Sequence, residues 1–270
     1  AKGGIEVFPR LVAAEHRQAF IDEFLRSGLS ELDLLLGGGV AAGSSTLVLG
    51  PSGTGKSLLL LQYLSSAVER GERAALFIFD EELGLLLARA QGVGIDLQAM
   101  QKANKLVIEQ LDAAELTPGE FSHRVRRCVD RENTKVVAID SLNGYQAAMS
   151  EEQFITLHIH ELLQYLNRRG AATFLTIAQS GMLGDMRQPV DITYLADTVV
   201  LLRYFEALGR VRRAISVVKK RASAHEDTIR EYRIDKRGLT LGEPLVEFEG
   251  ILRGAPSFVG GTSPLLKQHT

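Results

Sequence analysis

The chain has a single cysteine, Cys128, among its 270 residues. No disulfide can form within it, a cysteine-based zinc site is excluded, and a lone thiol fits a reducing cytosol. Charge imbalance is also nearly missing. With 31 Lys and Arg against 33 Asp and Glu, the formal net charge is -2, which gives no overall pull toward nucleic acid or an anionic membrane and leaves room only for a local basic strip. No uninterrupted apolar run approaches the roughly 18 to 20 residues of a membrane span, and the opening AKGGIEVFPR lacks the apolar stretch of a secretory leader. These absences lead to the expectation of a cytoplasmic protein. At 45% hydrophobic and 24% charged, the chain is long enough and apolar enough to bury a substantial core.

What is present is an alternation. The short apolar runs at 45–50, 74–79, 135–139, 172–178 and 197–204 read as buried strands. Helical patterns lie between them, starting at Ser57, Glu81, Thr117 and Glu151. Strands alternating with helices predict an α/β fold with a mostly parallel central sheet flanked by helices. After Asp197 the pattern changes: RVRRAISVVKKR, TIREYRID and RGLTLGEP are strand-like with few helical interruptions, which predicts an antiparallel C-terminal extension at the sheet edge.

Both ends stand apart. AKGGIEVFPRL at 1–11 resembles DKRGLTLGEPL at 235–245, so the first stretch is expected to be the trailing strand or linker of a preceding copy of the same domain. Residues 12–255 then form the main domain. The Gly-, Ser- and Pro-rich end reads as a flexible tail over 256–270.

GPSGTGKS, residues 50–57, fits the phosphate-binding pattern G-x-x-x-x-G-K-[ST] and lies after a predicted strand and before a helix. Gly50, Pro51, Ser52, Gly53, Thr54 and Gly55 would wrap backbone amides around phosphate oxygens. Lys56 would reach the β and γ phosphates, and the Ser57 hydroxyl would hold Mg²⁺. The partner acid should end another buried strand, and Asp140 of VVAIDS does so. ATP and Mg²⁺ are therefore the expected ligands. Turnover also needs a group that orients or deprotonates the attacking oxygen. FIFDEELG ends the next strand in acids, and adjacent acids repel, raising one proton affinity toward a useful range. Glu81 is read as the base, Asp80 as its assistant, and Glu82 as the start of a helix.

Taken together, SGLSELDLLLGGGVAAGSSTLVLGPSGTGKSLLLLQYL, FIFDEE, VVAIDSLN, ITYLADTVVLLRY and KKRASAHEDTIREYRID resemble the KaiC family of RecA-like P-loop ATPases over most of residues 23–253. GIEVFPRL at the front is similar to the junction between the first and second domains of such proteins, so the chain resembles a C-terminal half. The resemblance implies a homo-oligomer, a hexameric ring with ATP between subunits. It also implies that Arg213, Lys219 and Arg221 reach a neighbour's phosphates; Ser223 and His225 are close enough in sequence to line the same site. It places Thr193 and Tyr194 at two adjacent phosphoacceptor positions. Thr193 keeps a transferable hydroxyl and supports a Ser/Thr autokinase reading, while Tyr194 departs from the family's Ser-Thr pair.

Two other readings stand beside this one. A RecA-like or RadA-like DNA-dependent ATPase shares the glycine-rich lead-in and P-loop, but the balanced charge argues against nucleic acid and the single cysteine against the RadA zinc module. A nucleotide-held scaffold with little turnover, whose tail recruits a protein partner, is the third. His158 and His160 are two apart, which points them to different sides of a helix and away from a shared metal. Cys128 reads as a packed small residue, and Gly37, Gly38 and Gly39 as a tight turn.

Overall fold

The computed structural model describes residues 23–79, 81–112, 114–147, 152–179, 193–253 and 256–259. The strand expected at 1–11 and the acid Asp80 lie outside the described residues. In chain order come β1 (Phe24–Leu25), α1 (Ser30–Leu35), β2 (Val40–Ala41), β3 (Ser45–Gly50), α2 (Lys56–Glu69), β4 (Arg73–Ile78), α3 (Leu83–Gly92) and α4 (Leu97–Lys102). There follow β5 (Leu106–Gln110), α5 (Pro118–Glu132), β6 (Thr134–Asp140), α6 (Leu142–Ala147), α7 (Glu152–Arg168) and β7 (Ala172–Ala178). The chain continues with β8 (Thr198–Ala207), β9 (Arg210–Lys220), β10 (Ile229–Asp235), β11 (Gly238–Pro244), β12 (Phe248–Glu249) and β13 (Ser257–Phe258).

One nine-stranded sheet, ordered β11-β10-β9-β8-β3-β7-β6-β4-β5, organises the domain. From β8 to β5 all neighbours are parallel. From β8 to β11 they are antiparallel, as the loss of helical pattern after Asp197 predicts. Both faces of the parallel part are covered. On β3, Leu47 and Leu49 join the core formed with Phe77, Phe121 and Leu162, while Val48 joins the opposite core with Leu59, Leu64 and Phe174. That two-sided burial is why its strands read as continuous apolar runs.

Local signals set the helix ends. Thr117 accepts from the Glu120 amide at 3.2 Å, Pro118 opens α5, and Asn133 closes it in the left-handed region. Its apolar residues Phe121, Val125, Cys128 and Val129 recur at helical spacing and are buried. Glycine is required where α1 turns into β2: a Cβ on Gly37 would lie 2.0 Å from the Ala224 carbonyl oxygen, and one on Gly39 would lie 2.5 Å from that of Leu25. The tight turn expected there is also a docking point for the 221–227 loop.

Some elements went unforeseen. β5 is an edge strand whose residues are mostly half-buried, and β1 with β2 and β12 with β13 make two-residue pairs. The second pair reaches into the stretch read as a tail: Val259 donates from its amide to Glu247 at 2.9 Å, and the Phe258 ring sits 5.2 Å from that of Phe248. Residues 257–259 are thus held by the domain, because Phe258 finds an aromatic partner there. No helix among the described residues is long and apolar enough to cross a membrane.

Candidate nucleotide site

Strand β3 ends at Gly50 and α2 begins at Lys56, so the segment between them is a loop feeding a helix N-terminus. Gly55 is the N-cap, with φ of 100° and no side-chain cap on the helix. The first amides of α2 therefore stay available to an anion, with the helix dipole favouring negative charge. A Cβ on Gly55 would lie 2.5 Å from Ile234 Cδ1, and one on Gly50 would lie 2.6 Å from the Leu202 carbonyl oxygen. Lys56 is 8% exposed and folds over its own loop, donating to the carbonyls of Gly50 at 2.9 Å and Pro51 at 2.8 Å. Burial pushes its pKa down to about 8, opposed by the charge of Asp140. A partly desolvated ammonium resting on neutral carbonyls is a cation suited to a phosphate.

The loop is braced from the antiparallel side. The Tyr232 hydroxyl donates to the Thr54 carbonyl oxygen, and that of Tyr204 donates to Ser52 at 3.3 Å. Thr54 itself donates from Oγ1 to Pro51 at 2.8 Å.

Opposite stand the acids. Asp140 ends β6, and its Oδ1 accepts from Thr176 Oγ1 on neighbouring β7 at 2.5 Å. Asn143 ties the end of β7, accepting from the Ala178 amide at 2.6 Å and donating to its carbonyl at 3.1 Å. Glu81 Oε2 accepts from Arg89 Nη2 at 2.7 Å. Desolvation raises the Glu81 pKa; Arg89 opposes this and Asp140 adds to it. Glu82 has the lesser role expected of it, as the α3 N-cap accepting from the Leu85 amide at 3.1 Å.

These groups share one cavity of about 590 Å³, lined by Lys56, Ser57, Glu81, Arg89, Asp140 and Arg213 among others. That volume falls within the range of small-molecule sites. Leu58, Leu61, Val93 and Ile234 add an apolar wall of the kind a flat base packs against. Ser57 and Asp140 fit Mg²⁺: they offer hard oxygen donors, and such an ion takes its remaining ligands from phosphates and water. Among the described residues no cluster of three His, Cys, Asp or Glu could cage a metal.

Other expected site residues lie elsewhere. Along antiparallel β9, Arg213 pairs with Tyr204 and Tyr232 at the P-loop end, while Lys219 pairs with Val199 at the other end. Six residue steps of strand separate them, about 20 Å. Lys219 Nζ donates to the carbonyls of Thr193 at 2.9 Å and Ala196 at 2.7 Å, and Arg221 Nη2 donates to that of Tyr194 at 2.9 Å. Lys219, Arg221 and Thr193 thus cluster beside the start of β3, and Ser223 and His225 follow in the loop docked on Gly37. Arg213, expected to reach a neighbour's phosphates, stands apart from Lys219 and Arg221. It lines this chain's own cavity, its guanidinium 5.6 Å from the Tyr204 ring centroid, because the strand register puts it beside the P-loop.

The remaining candidates are structural. His158 is held between Ser122 Oγ at 2.8 Å and the Tyr145 hydroxyl at 2.6 Å, and His160 contacts Gln164. Cys128 is buried, which pushes its thiol up to about 12. Arg89, Thr176, Tyr204 and Tyr232 were not legible as site residues, since no local motif marks them. Asn143 sat in view within VVAIDSLN.

A P-loop opening α2, an acid closing β6 and a RecA-like parallel sheet define a P-loop ATPase domain. The family model for the KaiC ATPase matches residues 25–246, and the chain belongs to that family. Similar proteins include the circadian clock protein KaiC3 of Synechocystis sp., 31% identical over 258 residues, covering 95% of this chain and 51% of the relative. The circadian clock oscillator proteins KaiC of Acaryochloris marina and Prochlorococcus marinus are 31% and 32% identical, covering 95% and 94% of this chain and 49% and 50% of theirs. The chain spans about half the length of the curated relatives it matches.

Proposed function

We propose that this chain is a Mg²⁺-dependent ATPase domain whose catalytic site is completed by a second copy, head to tail in a ring, with Ser/Thr autokinase capacity. The observation that carries the reading is the division of the sheet. Lys56, Glu81 and Asp140 line a cavity at the carboxyl ends of the parallel strands, where such folds bind ligands. Lys219, Arg221 and Thr193 gather at the opposite end. Cations so placed cannot reach their own P-loop, but a heterologous interface would bring them to a neighbour's.

In this reading Lys56 and the loop amides hold the β and γ phosphates, and Ser57 and Asp140 hold the metal. When bound, that ion neutralises charge developing on the phosphates. Glu81 takes the proton from the attacking oxygen, with Asp80 beside it in sequence. Lys219 and Arg221, helped by Ser223 and His225, supply the neighbour's cation, and Arg213 serves its own nucleotide. A hexamer and a signalling or clock-type output are proposed on the family and on the relatives' names. The chain is further proposed to be cytoplasmic, to bind neither membrane nor nucleic acid, and to be the second half of a longer protein. Its residues 1–11 would then close a preceding domain, 12–255 form the ATPase domain, and 256–270, anchored at 257–259 by the β12–β13 pair, offer a tail to a protein partner.

Subunit mixing tests the shared site. Lys56→Ala should abolish ATP binding and Arg221→Ala should slow turnover while nearly preserving nucleotide affinity. Mixed rings should regain part of the lost ATPase activity, because some interfaces pair an intact P-loop with an intact Arg221. Mixed rings that form and stay inactive would defeat the proposal.

A further inference from the structure

Arg89 lies two turns into α3, and its side chain leans back toward the helix N-terminus as helical side chains do. Its Nη2 donates to Glu81 Oε2 at 2.7 Å, and both side chains line the nucleotide cavity with Lys56 and Asp140. Among the described residues no hydrogen bond engages the other carboxylate oxygen of Glu81. Glu82, next to it, is committed to the α3 cap.

We propose that Arg89 is the positioning residue of Glu81, gripping one carboxylate oxygen so that the other is presented to the oxygen attacking the γ-phosphate. The inference rests on the reading of Glu81 as the base. A glutamate side chain has three rotatable bonds, and a general base works only within hydrogen-bond reach of the proton it takes. Fixing one oxygen removes most of that freedom before the nucleotide arrives, which is where oriented groups gain rate. The Arg89 side chain is 49% exposed, so the pair contributes little to folding. Its loss is read in turnover.

The experiment measures kcat and KM for ATP in the full chain, with Arg89→Gln, Arg89→Lys, Glu81→Gln and the Arg89→Gln/Glu81→Gln double variant. Glu81→Gln should lower kcat by about 10²-fold or more. Arg89→Gln should lower kcat on the order of tenfold with KM unchanged, and Arg89→Lys, which keeps a charged donor, should recover part of it. The double variant should match Glu81→Gln, because Arg89 acts through that carboxylate. An Arg89→Gln effect confined to KM, or one that persists undiminished without Glu81, would make Arg89 a nucleotide contact and overturn the proposal. Unchanged kcat in Arg89→Gln, beside a crippled Glu81→Gln, defeats the positioning role alone. Unchanged kcat in Glu81→Gln defeats the base reading and this inference with it.

Discussion

Tyr232, on β10, donates its hydroxyl to the carbonyl oxygen of Thr54 inside the P-loop. The two residues are 178 apart in sequence, and the bond makes the antiparallel extension part of the phosphate site. Tyr232 is 1% exposed, and burial raises its phenol pKa, so it stays a neutral donor. Neighbouring Ile234 fills the space against Gly55, and Tyr204 on β8 reaches Ser52. Two side chains from the extension and one from β8 thereby brace the P-loop.

Tyr232→Phe keeps the ring and removes the donor, leaving the Thr54 carbonyl without that partner. The expected cost is about 1–3 kcal/mol of stability, with weaker ATP affinity because the loop is no longer held in its receiving shape. A thermal melt with and without nucleotide, together with an ATP titration, checks both. A variant with wild-type affinity would mean that the P-loop keeps its shape without this brace.

Gly37 joins two distant parts of the domain in a similar way. It has φ of 62°, and a Cβ there would meet the Ala224 carbonyl oxygen at 2.0 Å. The same junction is tied by Lys220, which donates from Nζ to the carbonyls of Leu36 and of Gly39, and by the Glu226 amide on Leu35 at 3.1 Å. Gly37→Ala should destabilise the domain by more than about 1 kcal/mol through backbone strain and displacement. It should also displace the loop carrying Arg221, so that ATP turnover falls while ATP binding by the subunit's own P-loop persists. Denaturant unfolding and an ATPase assay test the two halves, and unimpaired turnover would disconnect this turn from the proposed neighbour contact.

These cases show what the sequence could reveal. The P-loop was legible because its glycines, lysine and serine form one motif at fixed spacing between a strand and a helix. Asp140 was legible because a charged residue closing an apolar run needs a reason. The parallel strands were legible because two-sided burial demands continuous apolar runs. β5 was harder to read: LVIEQ is only partly buried at the sheet edge and lacks such a run. Tyr232, Tyr204 and Arg89 were hidden for another cause. Each acts on a residue fixed by sheet register or helix geometry, and composition carries no trace of that. The separation of Arg213 from Lys219 was hidden for the same reason. Only the β9 register sets the two apart, although both belong to one basic strand.

The hydroxyl of Thr193 is the proposed phosphate acceptor. Lys219 holds the Thr193 carbonyl at 2.9 Å, and the strand register puts this segment at the opposite end of the sheet from Lys56. If Thr193 accepts phosphate, its Oγ attacks the γ-phosphorus of a neighbour's ATP, the bond to the bridging oxygen breaks, ADP leaves, and the hydroxyl proton passes to the neighbour's Glu81. Donor and acceptor functions should then separate between chains. Glu81→Gln, inactive as a donor but carrying Thr193, should gain one phosphate in mixed rings with Thr193→Ala, which is active as a donor but lacks the acceptor. Neither variant alone should acquire the label at residue 193. Intact-mass spectrometry followed by peptide mapping reads the result. Label appearing on Thr193 in isolated Glu81→Gln would remove Glu81 from the transfer. Label persisting in isolated Thr193→Ala would move the acceptor, with the half-exposed Tyr194 the first residue to map. Phosphate released only to water by the wild type would mean that the site is an ATPase and that the carbonyl contact of Lys219 serves to shape the interface.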